Sequence, residues 1–219
     1  MAAPDVPRNA ERVQNVSRFR SKKIPAYLST LPAARLGGAD ITGARVVVGD
    51  LGLPLDGIAG VASPNMFKGS LVLFELAQSR VVIAAKSPAT IPTDAFHPYD
   101  GQISLPSIKI DVAGVELAAH IDTGSGRDLP LPLEIADRIP LKAPLTPAKP
   151  ARMAGGEHAA YTSRIDGVVR IGPITLVDPD VTFIEQFPYA NVGFSLLKDL
   201  TIVLDPAEKR SWLLATTRL

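Results

Sequence analysis

The feature that most constrains the fold of this chain is an apolar strand that ends in a carboxylate followed by small residues. Residues 115–121 have the apolar character of a strand in a buried sheet, and the sequence continues as Asp122-Thr123-Gly124-Ser125. Because Gly124 has no Cβ, the backbone can turn closely beneath the Asp122 carboxylate. The hydroxyls of Thr123 and Ser125, together with nearby backbone N–H groups, are suited to donate hydrogen bonds to it. The pattern predicts a carboxylate held in one orientation at a strand end.

The segments after this turn decide how it is interpreted, because an Asp-Thr-Gly triplet also occurs in ordinary surface turns. In chain order they are a short amphipathic helix at 131–139, a polar stretch that contains glycines, apolar segments at 168–172 and 181–183, the segment 190–197, and an apolar hairpin at 200–213. This order over residues 101–219 resembles the retropepsin-like aspartic peptidase domain. Two positions depart from that family: Gly126, where Ser or Ala is more common, and Asn191-Val192-Gly193, where two aliphatic residues usually precede the Gly.

The resemblance implies both the fold and the catalytic loop. The fold would be all-β, an acid-protease architecture of the pepsin and retropepsin type, with closed β-barrel lobes and short helices. Asp122 would be the catalytic residue, and Thr123, Gly124 and Ser125 would support it. The substrate would be a peptide or an unfolded protein, and we expect no cofactor.

A candidate flap follows from the same resemblance. Residues 153–161 stand where the family has the hairpin that closes over substrate and excludes water. Gly155 and Gly156 are placed at its tip. Tyr161 has two interpretations, because it either helps to close the site or is a strand residue whose ring packs at the sheet edge. For His158, a solvated hairpin position is the more common role.

An internal repeat indicates two related lobes. Residues 34–38 resemble residues 169–172, and the hairpin at 71–83 resembles the hairpin at 202–213. A similar repeat underlies the two lobes of pepsin-like enzymes. We therefore expect a two-lobed chain, with an incomplete first aspartic-peptidase lobe at 1–86, a linker at 87–100 and a second retropepsin-like lobe at 101–219 that carries the Asp-Thr-Gly-Ser motif.

The repeat places the first-lobe counterpart of Asp122 ahead of Met1. The near match Asp40-Ile41-Thr42-Gly43 follows a Gly-Gly turn and carries an extra Ile, so we expect an ordinary hairpin turn there. Aspartic peptidase chemistry needs two carboxylates, about 3 Å apart, that share one proton. Three alternatives stay open for the second one: residues upstream of Met1, the Asp122 of a second chain in a homodimer, or no second carboxylate and no activity.

Other kinds of catalytic site receive little support from the residues. His120 shares a strand face with Asp122, but a Ser-His-Asp triad needs a strained turn such as Gly-x-Ser-x-Gly, which the chain lacks. The three histidines, His97, His120 and His158, have no metal-binding spacing. We therefore expect His120 to be a hydrogen-bonded structural residue, and we expect no metal site.

Composition fits a folded protein with many short strands. The 219 residues are 46% hydrophobic and 21% charged, with 20 Pro and 17 Gly. A net charge of +1 without a long basic block predicts no nucleic-acid partner, and the basic cluster at 18–23 is expected to be a solvated face. No apolar run is long enough for a membrane span, and the N-terminal residues lack a signal-peptide core. Without Cys, the compartment stays undecided, and a periplasmic or secreted location stays open.

Taken together, these residues favour an aspartic endopeptidase that hydrolyses peptide bonds in extended polypeptides, with Asp122 as one member of the carboxylate pair. The alternative is a non-catalytic peptide-binding module on the same fold, which keeps a peptide cleft without a complete pair. The second carboxylate is the feature that separates the two hypotheses.

Overall fold

The chain is built mainly from β-strands. A computed structural model describes residues 11–13, 26–49, 60–93, 96–99, 105–153 and 156–215. The strands are β1 (Glu11–Val13), β2 (Ala26–Thr30), β3 (Arg35–Leu36), β4 (Ala39–Asp40), β5 (Arg45–Gly49), β6 (Ser70–Glu75), β7 (Arg80–Ala85), β8 (His97–Pro98), β9 (Ser107–Val112), β10 (Val115–Asp122), β11 (Pro130–Pro132), β12 (Thr146–Met153), β13 (Gly156–Arg164), β14 (Val168–Ile171), β15 (Ile174–Val177), β16 (Asp180–Ile184), β17 (Ala190–Gly193), β18 (Leu200–Asp205) and β19 (Arg210–Ala215).

The helices are short. Among the described residues, three are 3₁₀ helices, at Pro64–Phe67, Leu76–Gln78 and Leu133–Arg138, and one is an α-helix, α1, at Phe194–Leu197. The prediction of an all-β fold with short helices is confirmed. Within the described ranges, no helix has the length and apolar character needed to cross a membrane.

Contacts along the chain divide it into two units, Met1–Met66 with Ala151–His158, and Phe67–Pro150 with Ala159–Leu219. In the first unit, β1, β2 and β5 form an antiparallel sheet, and β3 pairs with β4. The Thr42 N–H donates to Asp40 Oδ1 at 2.9 Å, and the Ala44 N–H donates to the Ile41 carbonyl at 3.1 Å. The segment from Asp40 to Gly43 therefore leads into a turn, as expected.

Among the residues that the structure describes, the second unit holds three larger sheets. Their strand orders are β15-β14-β9-β10-β17, β11-β16-β13-β12 and β7-β6-β18-β19-β8, and β12 and β13 also run into the first unit. The fold includes a curled half-barrel sheet, where closed barrels were expected. The apolar core of this unit includes Val112, Val169, Phe183 and Leu197, each of which is fully buried.

Strand β10 connects this core to the candidate site. Ala119 and Ile121 are 0% and 6% exposed, whereas His120 and Asp122 are half-buried. Because successive side chains of a strand point to opposite faces, His120 and Asp122 share the face that Ile121 does not occupy. β10 pairs with β9 in antiparallel orientation and with β17 in parallel orientation. The parallel pairing brings β17 beside Asp122.

The lobes at 1–86 and 101–219, with a linker at 87–100, remain a prediction. Strands β6 and β7 come from the predicted first lobe, yet they share a sheet with β18 and β19, and Val72 is registered opposite Leu204. This sheet therefore combines strands from both sides of the predicted linker. The basic cluster at 18–23 lies outside the described residues.

Two local predictions are wrong. Four closely spaced prolines from Pro140 to Pro150 predict an extended surface loop over residues 142–151, but strand β12 begins at Thr146. β12 ends its sheet order, and at such an edge the missing N–H groups of Pro147 and Pro150 are tolerated. His158, expected to be solvated, is 7% exposed. The helix expected at 131–139 is present as the 3₁₀ helix Leu133–Arg138.

Candidate active site

Asp122 is the last residue of β10, and β17 lies beside it. In the parallel register Asp122 is opposite Gly193, and His120 is opposite Asn191. The strand supplies a rigid base because its other face is packed in the core through Ala119 and Ile121. The Asp122 side chain is only half-buried. It is therefore anchored by the sheet while remaining within reach of a ligand.

Both oxygens of the Asp122 carboxylate accept a hydrogen bond. The Gly124 N–H donates to Oδ1 at 3.0 Å, and Asn191 Nδ2 donates to Oδ2 at 2.8 Å. The Ser125 N–H donates to the backbone carbonyl of Asp122 at 3.2 Å, which closes the turn. With one donor on each oxygen, the carboxylate has a single orientation. The Gly124 N–H thus contacts the carboxylate, and its role as support of a catalytic loop stays a prediction.

The predicted hydroxyl support of the carboxylate is wrong for Ser125. The Ser125 hydroxyl donates to the Arg127 carbonyl at 3.2 Å, and its oxygen accepts the Arg127 N–H at 3.3 Å. The Thr123 hydroxyl forms no hydrogen bond within the described part of the chain. A Ser hydroxyl readily bonds to backbone two residues away, and here that local turn competes successfully with the carboxylate.

Gly193 permits a close approach between β17 and the loop after Asp122. A Cβ on Gly193 would lie 1.8 Å from the Arg127 carbonyl oxygen, a distance that no side chain tolerates. The Gly193 N–H donates to the Asp128 carbonyl at 2.8 Å, and the Phe194 N–H donates to the Ser125 carbonyl at 3.2 Å. Ser195 also donates its hydroxyl to Asp128 Oδ1. These contacts hold the loop of residues 123–128 against the start of α1.

His120 adds a titratable ring to the same face as Asp122. Burial lowers the pKa of His120, and the negative charge of Asp122 opposes this shift only in part. The ring is therefore favoured in its neutral form at neutral pH. The hydrogen bond predicted for the His120 side chain is not found among the described residues. His120 therefore places a polar, uncharged ring on the same strand face as the Asp122 carboxylate.

Gly156 and Tyr161, two of the three candidate flap residues, lie in β13, which pairs with β12. β12 ends at Met153 and β13 begins at Gly156, where φ is +140°, while Gly155 lies outside the described residues. Tyr161 is a half-buried strand residue of β13, in a different sheet from Asp122. Its hydroxyl donates to Glu185 Oε1 at 3.2 Å, and this hydrogen bond raises the pKa of Tyr161.

Two residues that sequence reasoning did not select contribute to the site. Asn191 was noted only as a departure from an aliphatic pattern, and that departure was the signal available. Arg127 reaches from the Asp122 loop to the base of β12, where its guanidinium donates to the Lys149 and Pro150 carbonyls at 2.8 and 3.4 Å. It also donates to Thr182 Oγ1 at 3.4 Å. Arg127 thus connects the loop of residues 123–128 to β12.

The charged groups around the site give no metal-binding geometry. Among the residues that the structure describes, no cluster of three or more His, Asp or Glu side chains could hold a metal ion. The described partners of the Asp122 carboxylate are an amide and a backbone N–H, and they include no second carboxylate. The arrangement can orient one carboxylate for proton transfer, and a complete pair requires a second one.

Comparisons with known proteins give likenesses to solved structures. No protein-family model matches the chain, and no curated protein matches it. Among solved structures, a retropepsin-like aspartic protease from Rickettsia conorii matches with a TM-score of 0.37 and 21% sequence identity. The match covers 48% of this chain and 85% of that one. The similarity to that protein therefore extends over about half the length of this chain.

Proposed function

We propose that this chain is an aspartic endopeptidase in which Asp122 is one member of a carboxylate pair. The observation that carries the proposal is the geometry of Asp122, which ends a core strand and accepts one hydrogen bond on each carboxylate oxygen. A carboxylate fixed in this way is prepared for proton transfer without further reorganisation. Its partial exposure leaves the carboxylate accessible to water.

The proposed reaction needs a second carboxylate that begins in the protonated state. The ionised member removes a proton from a bound water, whose oxygen attacks the peptide carbonyl carbon, while the protonated member donates its proton to the carbonyl oxygen. The tetrahedral diol then collapses: one of its hydroxyls returns a proton to the carboxylate that is now ionised, the C–N bond breaks, and the carboxyl group that is now protonated passes its proton to the leaving nitrogen. In this proposal the second carboxylate comes from residues upstream of Met1 or from Asp122 of a second copy.

The proposed substrate is an extended segment of an unfolded protein. Such a segment can add alongside the hairpin of β12 and β13 as a further strand, so that backbone hydrogen bonds supply affinity and alternate side chains supply specificity. The contact of Arg127 with the β12 carbonyls of Lys149 and Pro150 supports this arrangement, because it joins the hairpin arm to the loop that carries Asp122.

A second candidate is a peptide-binding module without peptidase activity. The observation that favours it is the Asn191 amide, which occupies Asp122 Oδ2, the oxygen that would otherwise be available to a partner carboxyl group. An amide donates a hydrogen bond but does not transfer a proton as a carboxylic acid does. A chain with this pair alone would bind extended peptides and leave them intact.

The two candidates are separated by cleavage and binding measured on the same preparation. The chain is incubated with a chemically unfolded protein from acidic to neutral pH, with and without a peptide mimic that carries a hydroxyethylene group at the scissile position. Acid-favoured cleavage that the mimic blocks supports the peptidase, because the mimic resembles the tetrahedral intermediate. Binding of the mimic without cleavage supports the module, and the absence of both rejects the two proposals.

A further inference from the structure

Arg127 carries a positive charge that no described carboxylate balances. Its guanidinium donates to the Lys149 and Pro150 carbonyls and to the Thr182 hydroxyl, which are neutral groups. It takes part in none of the ion pairs formed between described residues. The other unpaired Lys and Arg side chains whose burial the structure describes are exposed, whereas Arg127 is half-buried. Since burial removes part of the hydration of a charge, an Arg in this position is expected to face a carboxylate.

The carboxylate next to Arg127 in sequence does not neutralise it. Asp128 is exposed, and its Oδ1 accepts a hydrogen bond from the Ser195 hydroxyl of α1. The Gly193 N–H donates to the Asp128 carbonyl at 2.8 Å, which holds this residue against the start of α1. The Arg127 side chain instead contacts the β12 carbonyls. The loop therefore presents its two opposite charges to different elements.

Arg127 and Thr182 keep hydrogens that are free to bind a carboxylate. Among the described residues, only the terminal nitrogens Nη1 and Nη2 of Arg127 have acceptors, so the Nε–H has none. Thr182 Oγ1 accepts from Nη1 at 3.4 Å and keeps its own hydrogen to donate. Both side chains are half-buried and therefore remain accessible to solvent. A guanidinium beside a hydroxyl suits the two oxygens of a carboxylate.

We propose that Arg127, together with Thr182, binds a carboxylate of the extended peptide, supplied by an Asp or Glu side chain or by the peptide C-terminus. The inference rests on the proposed function, because it names the class of substrate for the same site. Arg127 belongs to the loop that follows Asp122, and it contacts β12, alongside which the peptide is proposed to lie. Alternate side chains of an extended peptide point to one face, so a carboxylate at one position reaches Arg127 while a peptide bond at another lies at Asp122.

The preference is tested with a hydroxyethylene peptide mimic that has Gln at each variable position and with analogues that carry Glu at one position at a time. Affinity is measured at about pH 6, where the Glu carboxylate is ionised. We expect one Glu analogue to bind the wild type about tenfold more tightly than the Gln mimic, and we expect no such difference in Arg127→Gln. A mimic that ends in a carboxylate is compared with its carboxamide in the same way, which identifies the source of the carboxylate.

The control is Arg152→Gln, which removes an exposed β12 cation that already pairs with Glu157. This variant is expected to keep the full carboxylate preference. If Arg127→Gln does not fold, Thr182→Val takes its place, because it removes only the hydroxyl beside Arg127, and we expect the preference to fall to about threefold. A preference that is absent from the wild type, unchanged in the Arg127 or Thr182 variant, or lost equally in Arg152→Gln overturns the inference.

A measurement without the mimic separates failure of this inference from failure of the proposed function. The ¹⁵N–¹H NMR signal of Arg127 Nε, assigned by its loss in Arg127→Lys, is followed while the full chain is titrated with the capped tripeptides Ala-Glu-Ala and Ala-Gln-Ala. We expect only the Glu peptide to move it. If the mimic binds without a carboxylate preference, only the inference fails. If the wild type neither binds the mimic nor cleaves protein, the proposed function fails, and the NMR signal then decides whether Arg127 binds a carboxylate.

Discussion

At the scale of single residues, the site depends on Gly193, because the backbone beside it leaves no space for a side chain. Gly193 lies against the Arg127 carbonyl, and a Cβ there would be 1.8 Å from that oxygen. The obstacle is backbone, so it cannot move aside as a flexible side chain does. We expect Gly193→Ala to lower the free energy of unfolding by about 3 kcal/mol, measured by urea denaturation.

The matched control for this change is Gly126→Ala in the same loop. A Cβ on Gly126 meets nothing within 4 Å, and its φ is not in the left-handed region. We expect its stability to stay within about 0.5 kcal/mol of the wild type. Equal losses in Gly193→Ala and Gly126→Ala would show that the close approach of β17 to the Asp122 loop does not exist.

Two histidines make stability depend on pH. Burial lowers the pKa of His97 and of His120 below the ordinary value of 6.5. As pH falls through about 6.5, the unfolded chain binds protons at these residues before the folded chain does, so this contribution is present above that pH and is lost below it. We expect the wild type to lose more stability between about pH 7.5 and about pH 5.5 than His97→Gln/His120→Gln does, measured by urea titration at each pH.

A double variant with the same pH slope as the wild type would contradict this assignment. The single variants divide the effect between the residues. His120→Gln is expected to change the pH slope of stability less than the burial of His120 alone would imply, since the Asp122 charge partly offsets the lowering of the His120 pKa.

The residues of the site differ in how far the sequence could predict them. Gly124 and Asp122 lie two positions apart, so their hydrogen bond follows from the local turn. Asn191 is 69 positions from Asp122, and their contact depends on the parallel register of β10 with β17, which no local pattern specifies. The Ser125 hydroxyl was misjudged because two nearby acceptors compete for it, and their relative geometry is known only in the folded loop.

At the scale of elements, Arg127 couples the Asp122 loop to β12. Its guanidinium reaches the Lys149 and Pro150 carbonyls and Thr182 Oγ1, which a compact ammonium cannot contact together. We expect Arg127→Lys to speed amide hydrogen exchange in β12 by roughly tenfold, the effect of losing one hydrogen bond from a charged donor. Exchange is followed by mass spectrometry on peptides that cover residues 144–153.

The control is Arg152→Lys, since Arg152 lies in the same strand and makes an exposed ion pair with Glu157. Exposed pairs contribute little, so exchange in β12 should stay close to the wild-type rate. If Arg152→Lys accelerates exchange as much as Arg127→Lys does, the coupling reflects general fragility of β12 and not the contact to the Asp122 loop.

Strand prediction succeeded where apolar periodicity was strong and failed where proline dominated. The hairpin of β18 and β19 follows from its apolar runs and is confirmed. β12 was assigned to a loop because Pro147 and Pro150 interrupt any strand pattern. Its place at the end of a sheet order removes the penalty, since an edge strand can leave N–H positions unpaired, and edge placement is a property of the whole sheet.

At the scale of the whole molecule, one sheet combines strands from both predicted lobes. β18 pairs with β6 on one side and with β19 on the other, and its residues Ile202, Val203 and Leu204 are buried. A fragment of residues 101–219 lacks β6 and β7, so β18 becomes an apolar edge strand that pairs readily with another chain. We expect this fragment to self-associate in light scattering at concentrations where the full chain does not.

A fragment that stays monomeric and folded would show that the second predicted lobe is independent of β6 and β7. The register of β6 with β18 was beyond sequence reasoning, because the two strands are separated by more than a hundred residues and their hairpins were recognised only as repeats of each other. Similar sequence patterns predicted two related elements, but they did not predict that these elements share a sheet.

The central claim is that Asp122 performs proton transfer in peptide hydrolysis. The most direct test compares cleavage of an unfolded protein at acidic pH by the wild type, by Asp122→Asn, and by Asp137→Asn, which removes an exposed carboxylate from the Leu133–Arg138 helix. We expect Asp122→Asn to lower kcat/KM by roughly 10²–10⁴-fold with an unchanged unfolding curve, and Asp137→Asn to match the wild type. Cleavage by Asp122→Asn at the wild-type rate would contradict the claim.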